Sequence, residues 1–186
     1  MSITTRNGDL GRTRLFSGQE ISKSDLAPRA YGALDEAVSV LGIARSLSTS
    51  EALNEQILFL QHAAFEVGAE LATHPDQQKN RRRRVDEAFL DKLDRIRDEL
   101  EAVTPIPKDF VIPGGNPVAA HLDHARTVFR RCEQEATALW DAEFLQNPLV
   151  LTWLNRVSDH LWLLARQMEG DAVIPRKSLQ VKAAKD

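Results

Sequence analysis

Arg126 and Arg130 stand four residues apart in the run A-R-T-V-F-R-R-C-E, so on a helix they leave one face a single turn apart. Two guanidinium forks at that spacing can hold several phosphate oxygens, and a carboxylate among them fixes their rotamers. A second anion-type pattern lies near the N-terminus. There Gly8, Asp9, Gly11 and Thr13 form G-D-x-G-x-T, flanked by Thr5, Arg6 and Lys23. Glycines let backbone N–H groups close on an anion, hydroxyls donate to it and Lys neutralises it. This is not a Walker loop, because G-x-x-x-x-G-K-[ST] is missing. Taken alone, each pattern has a plainer alternative: a salt-bridged flank between helices for the arginines, and an unordered terminus for the glycines.

The elements that must position these residues are helical. After the extended triplet Phe110-Val111-Ile112, Pro113, Gly114 and Gly115 make a rigid bend, and a long helix is predicted to open near Asn116 or Pro117. Val118, Leu122, Ala125, Phe129, Cys132, Ala136 and Leu139 form its apolar seam, at alternating spacings of four and three. One position further on lie Asp123, Arg126, Arg130, Glu133 and Thr137, a line of charge beside the seam that should be half solvated. An earlier helix, opened by Pro28, carries Tyr31, Leu34, Val38 and Leu41. Asp35 lies one step off that stripe, where a buried carboxylate needs a cation.

Three more helices complete the set, of which the first two carry no assigned chemistry. Ser48 and Glu51 have capping-box spacing, and a second helix follows with Leu53, Ile57, Leu60, Ala64, Val67 and Leu71, ending near Thr73. Asp76 to Arg84 reads as a polar loop, and the next helix uses Val85, Phe89, Leu93, Ile96, Leu100 and Val103. Thr104 to Pro117 holds four of the eight prolines and must be a structured loop; Phe110 within it is an anchor or a functional aromatic. Asn147 and Pro148 start the last helix and Gly170 ends it. Its seam is Val150, Leu154, Val157, Leu161, Leu164 and Met168, beside a stripe of Asn155, Asp159, Trp162 and Arg166.

Composition narrows the function classes. With 186 residues, 42% apolar and 27% charged, the chain suits one all-α domain. A net charge of -3 argues against general nucleic-acid binding, and the Arg81–Arg84 cluster reads as a solvated loop. The single cysteine, Cys132, falls on the seam and suits a reducing compartment. No run is long enough to span a bilayer and no signal peptide is visible, so a cytoplasmic location without membrane attachment is expected. A di-iron bundle would need Glu-x-x-His, which does not occur; His121, His124 and His160 leave a metal site undefined.

Three blocks together carry a resemblance. F-V-I-P-G-G followed by A-A-H-L-D-H-A-R-T-V-F-R-R-C-E, A-Y-G-A-L-D-E in the first helix, and L-N-R-V-S-D-H-L-W-L-L-A-R in the last resemble the PduO-type ATP:cob(I)alamin adenosyltransferases. The resemblance spans most of Ile3 to Arg166. It implies a five-helix bundle with ferritin-like up-down packing, an irregular N-terminal nucleotide-binding segment (1–29), a bundle domain (30–170) and a trimer with nucleotide between subunits; residues 171–186, beyond the resemblance, read as a mobile tail. The implied reaction moves the 5′-deoxyadenosyl group of ATP to the cobalt of cob(I)alamin and releases triphosphate. ATP would arrive with Mg²⁺, and a cobalamin reductase and an adenosylcobalamin-dependent enzyme are the expected protein partners.

Site roles follow from the same resemblance. Thr5, Arg6, Gly8, Asp9, Gly11, Thr13 and Lys23 would wrap the triphosphate, joined by Arg126, Arg130, Glu133 and Asn155. Asp35 would pair with Arg126, within one chain or between subunits. Phe110 would displace the lower nucleotide ligand of the corrin cobalt, and Asp159 and Trp162 would line the corrinoid site. Departures from the family pattern occur at Glu20 and Ala27, where Arg is expected, at Ala37 and Val38 in place of Leu-Asn, and at Gln134 in place of Arg. They admit an alternative: a homologue that binds nucleotide or corrinoid without transfer. A non-catalytic interaction bundle is the blander one.

Overall fold

The computed structural model describes residues 4, 6, 8–78, 83–170, 173 and 174; the expected tail, 171–186, lies outside the described residues except for 173 and 174. A short hairpin, β1 (Arg12–Arg14) and β2 (Glu20–Ser22), precedes α1 (Leu26–Leu47), α2 (Glu51–Leu71), α3 (Pro75–Gln78), α4 (Glu87–Val103), α5 (Pro117–Asp141) and α6 (Pro148–Glu169). The expected all-α class holds for the bulk of the chain. Five helices are long and α3 is a single turn.

Helix α5 is the packing centre. It lies along both α1 and α6, while α2 packs on α1 and α4 on α6. The predicted seam explains this: Leu122, Ala125, Phe129, Cys132, Ala136 and Leu139 are all buried. Opposite them α1 presents Ala30, Ala33, Ala37 and Ala44, small side chains that let the helices approach closely. Cys132 Sγ lies 3.4 Å from the Ala30 carbonyl oxygen, to which it donates. Burial, with Glu135 adding to it, pushes the thiol up to about 12, so Cys132 acts as a small apolar side chain. On the α6 side, Phe129 and Trp153 meet edge-to-face at 5.9 Å. Truncating Phe129 to Ala would open a cavity costing about 3–5 kcal/mol.

Local signals set the helix ends, with three shifts from expectation. Helix α1 opens at Leu26, two residues before Pro28, because Pro is tolerated anywhere in the first turn. Ser50 caps α2 by accepting from Leu53 N at 3.3 Å, while Ser48 Oγ instead accepts from the Ser50 amide. Within the expected polar loop, Pro75 starts α3. Asn116 and Asn147 cap α5 and α6 as expected, accepting from Ala119 N at 2.9 Å and Leu149 N at 3.2 Å. Gly170 ends α6 with φ of 72°.

The N-terminal segment is more ordered than a glycine-rich composition implies. Thr13 pairs with Ile21 in an antiparallel ladder, closed by Leu15 N donating to the Gln19 carbonyl at 2.9 Å. Leu15 is buried in the core, which fixes the hairpin on the helices. No helix among the described residues is long and apolar enough to cross a membrane.

Candidate functional site

Phe110, Arg126 and Trp162, from two of the three resembling blocks, line one cavity of about 660 Å³ together with Lys108, Asp109, Val111 and Ile174. Phe110 sits on the proline-rich loop and is 91% exposed, so it serves no packing purpose in the protomer. Phe110 is therefore not an anchor in the core of the protomer. The exposed Ile106, Ile112 and Val173 add to the apolar surface of the same region, and Ile112 N donates to the Val173 carbonyl at 2.9 Å. Asp159 lies next door, lining a smaller cavity with Trp162, Arg97, Glu101, Ile106 and Leu163.

Arg126 is not free to rotate. Its Nε donates to Asp123 Oδ1 at 3.0 Å, and Asp123 is 3% exposed. The other oxygen of Asp123 accepts from Arg166 Nη2 at 2.5 Å, and the same nitrogen lies 2.9 Å from Glu169 Oε2. Arg166 is itself buried and its guanidinium lies 5.5 Å from the centre of the Trp162 ring. Glu169 Oε1 in turn accepts the Gly115 N–H at 2.8 Å. A Cβ at position 115 would fall 2.4 Å from Glu169 Cγ, so glycine is required for this approach. The loop carrying Phe110 is further tied to α6 by Asn116 Nδ2, which donates to the Met168 carbonyl at 2.6 Å.

The expected line of half-solvated charge on α5 therefore divides in three. Asp123 is buried, Arg126 and Glu133 are half-buried, and Arg130 is exposed with no ion pair among the described residues. Glu133 Oε1 accepts from Asn155 Nδ2 at 3.1 Å, so those two predicted residues do meet across α5 and α6. The Asp35–Arg126 pair does not form within the protomer: Arg126 is engaged by Asp123, and Asp35 is exposed. Asp35 instead lines an open apolar groove of about 480 Å³ between α1 and α2 with Phe16, Tyr31, Val38, Phe65 and Gly68.

Among the N-terminal residues, Lys23 Nζ donates to the Gly8 carbonyl at 2.9 Å and Lys23 N donates to the Gly11 carbonyl at 2.8 Å, which folds the loop over its own lysine. A Cβ at position 8 would lie 2.8 Å from that Nζ. Arg6 adopts φ of 60°, uncommon for a non-glycine residue. Asp9 is exposed and Thr13 half-buried. Burial raises the Tyr31 phenol above its ordinary value, and the Thr13 side chain partly offsets this. Thr5 lies outside the described residues, as do Arg81 and Arg82 of the arginine cluster.

The departures also find their places. Glu20 is held by Arg12, whose Nε lies 3.2 Å from its Oε1. Ala27 and Ala37 are buried, Val38 lines the groove, and Gln134 is exposed. His160 is buried and its imidazole is lowered to about 4, first by burial and then by Arg97. His124 is exposed, and among the described residues no group of three or more His, Cys, Asp or Glu gathers as a metal site. Asp123 stands in the expected line of charge and holds Arg126 as a carboxylate there should, whereas no spacing in the sequence marks Glu169. Arg166 was visible only as the last member of a polar stripe, and nothing in its spacing marks it as buried.

Comparison with known proteins gives one family. A family model described as cobalamin adenosyltransferase matches residues 3–168. The corrinoid adenosyltransferase of Citrobacter freundii is 35% identical over 164 residues, covering 88% of this chain and 93% of the relative. That of Mycobacterium tuberculosis is 36% identical over 172 residues, covering 91% and 89%. A variant of the PduO-type ATP:corrinoid adenosyltransferase from Lactobacillus reuteri, solved with cobalamin and ATP, superposes with a TM-score of 0.85 at 31% identity, covering 94% of this chain and 99% of that one. Another variant of the same enzyme, solved with ATP, gives a TM-score of 0.81 at 34% identity, covering 90% and 94%.

Proposed function

Because the chain belongs to the cobalamin adenosyltransferase family, we infer that it is an ATP:corrinoid adenosyltransferase. It transfers the 5′-deoxyadenosyl group of ATP to the cobalt of cob(I)alamin. Co(I) is a strong nucleophile: its electron pair attacks C5′ and becomes the Co–C bond, the C5′–O bond breaks, and triphosphate leaves with the pair from that broken bond. No attacking side chain or general base is needed. The protein's tasks are to align C5′ with the metal and to stabilise charge growing on the departing triphosphate.

The observation that carries this reading is the convergence of Phe110, Arg126 and Trp162 on one cavity, with Arg126 held by a buried carboxylate. Phe110 is the residue that excludes water and keeps the corrinoid without its lower ligand, which eases reduction of Co(II) because the metal has lost a donor. Trp162 and Asp159 line the corrinoid side. Arg126 and Arg130 meet the triphosphate with Lys23, and Glu133 and Asn155, already joined to each other, receive the nucleoside end. Thr5, Arg6, Gly8, Asp9, Gly11 and Thr13 complete the wrap, and Mg²⁺ enters as part of the ATP substrate.

Assembly as a homotrimer fits the unpaired state of Asp35 and Arg130 in one protomer and the apolar groove beside Asp35. In that arrangement Asp35 of one copy faces Arg126 of the next. A cytoplasmic location, a reductase that supplies cob(I)alamin and a downstream adenosylcobalamin-dependent enzyme complete the reading. The test is anaerobic: mix the protein with chemically reduced cobalamin and ATP and follow the Co(I) absorbance. Loss of that band dependent on both protein and ATP is expected, and its persistence would overturn the assignment. Light scattering should return three times the 20.8 kDa chain mass.

A further inference from the structure

The interior of the α5–α6 contact holds a chain of charge of which only one member, Arg126, has a place in the reaction proposed above. Arg126, Asp123, Arg166 and Glu169 follow one another at hydrogen-bonding or ion-pairing distance and end on the Gly115 N–H. Such a chain is costly to bury. Asp123 and Arg166 are each 3% exposed and the Glu169 side chain is fully covered, where apolar residues of similar volume would serve stability as well or better. Its two ends are the informative part. One is the guanidinium that lines the cavity; the other is the backbone amide five residues after Phe110.

We propose that Arg166 and Glu169 are positioning residues for the two substrates, an inference that rests on the functional reading above. Arg166 occupies one oxygen of Asp123, so that the other oxygen alone receives Arg126 Nε. This fixes the direction in which the remaining Arg126 nitrogens point, toward the leaving triphosphate. Glu169 holds the Gly115 N–H and, with Asn116 on the Met168 carbonyl, seats the proline-rich loop so that Phe110 stands over the cavity. Gly115 is part of the device, since only glycine admits the Glu169 side chain at that distance. One buried arginine joins the two halves through a single nitrogen.

Arg166→Met keeps an unbranched stem but removes the cation, and Glu169→Ala frees the loop amide. The two should fail differently. In Arg166→Met the KM for ATP rises about tenfold, because Arg126 is no longer fixed, while the four-coordinate Co(II) signal of bound corrinoid at saturating ATP stays at its wild-type intensity. In Glu169→Ala that signal falls and kcat drops about tenfold, with the KM for ATP unchanged, since a small misplacement of Phe110 acts on the cobalt end alone. Glu169→Gln retains an acceptor for the Gly115 N–H and should recover most of the signal.

Thermal melts of each variant, with and without ATP, accompany the kinetics. Wild-type kinetics and spectra in both variants, or a uniform loss that parallels melting temperature in both, would overturn the proposal. If the wild-type protein fails to consume cob(I)alamin, the functional reading falls and takes this inference with it. If the wild type turns over and the split is absent, the inference alone falls.

Discussion

Arg126 and Arg130 share a helix, a face and a proposed anion, yet the structure treats them oppositely. Arg126 is half-buried and bonded to Asp123, which is bonded in turn to Arg166. Arg130, one turn away, is exposed and has no ion pair among the described residues. The same contrast divides the two ends of the site. The cavity lined by Phe110, Trp162 and Arg126 is assembled by contacts inside one chain, whereas the Arg130 guanidinium and the Asp35 carboxylate have no ion pair among the described residues. On the reading proposed above, the protomer holds one part already built and one that a second copy completes. Physical chemistry favours this division, because a free guanidinium and a free carboxylate cost little in water and gain strength only when an interface excludes it.

That contrast can be broken most sharply on the buried side. Replacing Asp123 by Ala leaves Arg166 buried with Glu169 alone and should lower stability by about 3–5 kcal/mol, measured by denaturant unfolding. A near-neutral result would mean that Arg166 finds water once the carboxylate is gone. On the exposed side the prediction reverses. Arg130→Ala should leave the melting temperature within a degree or two, yet cut turnover by about 100-fold or more, as expected for a donor aimed at transition-state charge. Full activity in that variant would remove Arg130 from the nucleotide site.

A pH scan sharpens the comparison further. His160 is lowered to about 4 when folded, against 6.5 in a model peptide. Between those values the unfolded chain takes up a proton on the imidazole that the folded chain refuses, so stability should fall as pH drops from about 6.5 towards 4. His160→Leu should flatten melting temperature against pH in that window; an unchanged slope would assign the acid sensitivity to other groups. The smallest effect is expected at the hairpin. Arg12 and Glu20 are each about half exposed, so Glu20→Gln should shift stability by no more than about 1 kcal/mol. Calorimetric titration with ATP should show tighter binding, because the proposed wrap around the triphosphate loses a negative charge.

Much of the fold was legible because its determinants are local. The seam on α5, the Asn116 and Asn147 caps and the Gly170 stop each depend on side chains within a turn or two, and all appear where spacing places them. The misreadings were local as well: serine at both 48 and 50 left the cap of α2 ambiguous, and glycine-rich composition concealed a hairpin held by Leu15. The candidate residues were legible through motif resemblance across three blocks, and Phe110 was left open between anchor and function.

Residue type and spacing alone determined that this chain is helical, that α5 has an apolar seam flanked by charge, and that two arginines and a glycine-rich loop could serve a polyphosphate. Only tertiary structure decided which charges are covered. Asp123, Arg166 and Glu169 look like ordinary polar positions on two helices until α5 and α6 pack and exclude water between them. Periodicity reports the direction in which a side chain leaves its helix; desolvation depends on what stands opposite, and that is settled by packing between elements far apart in the chain.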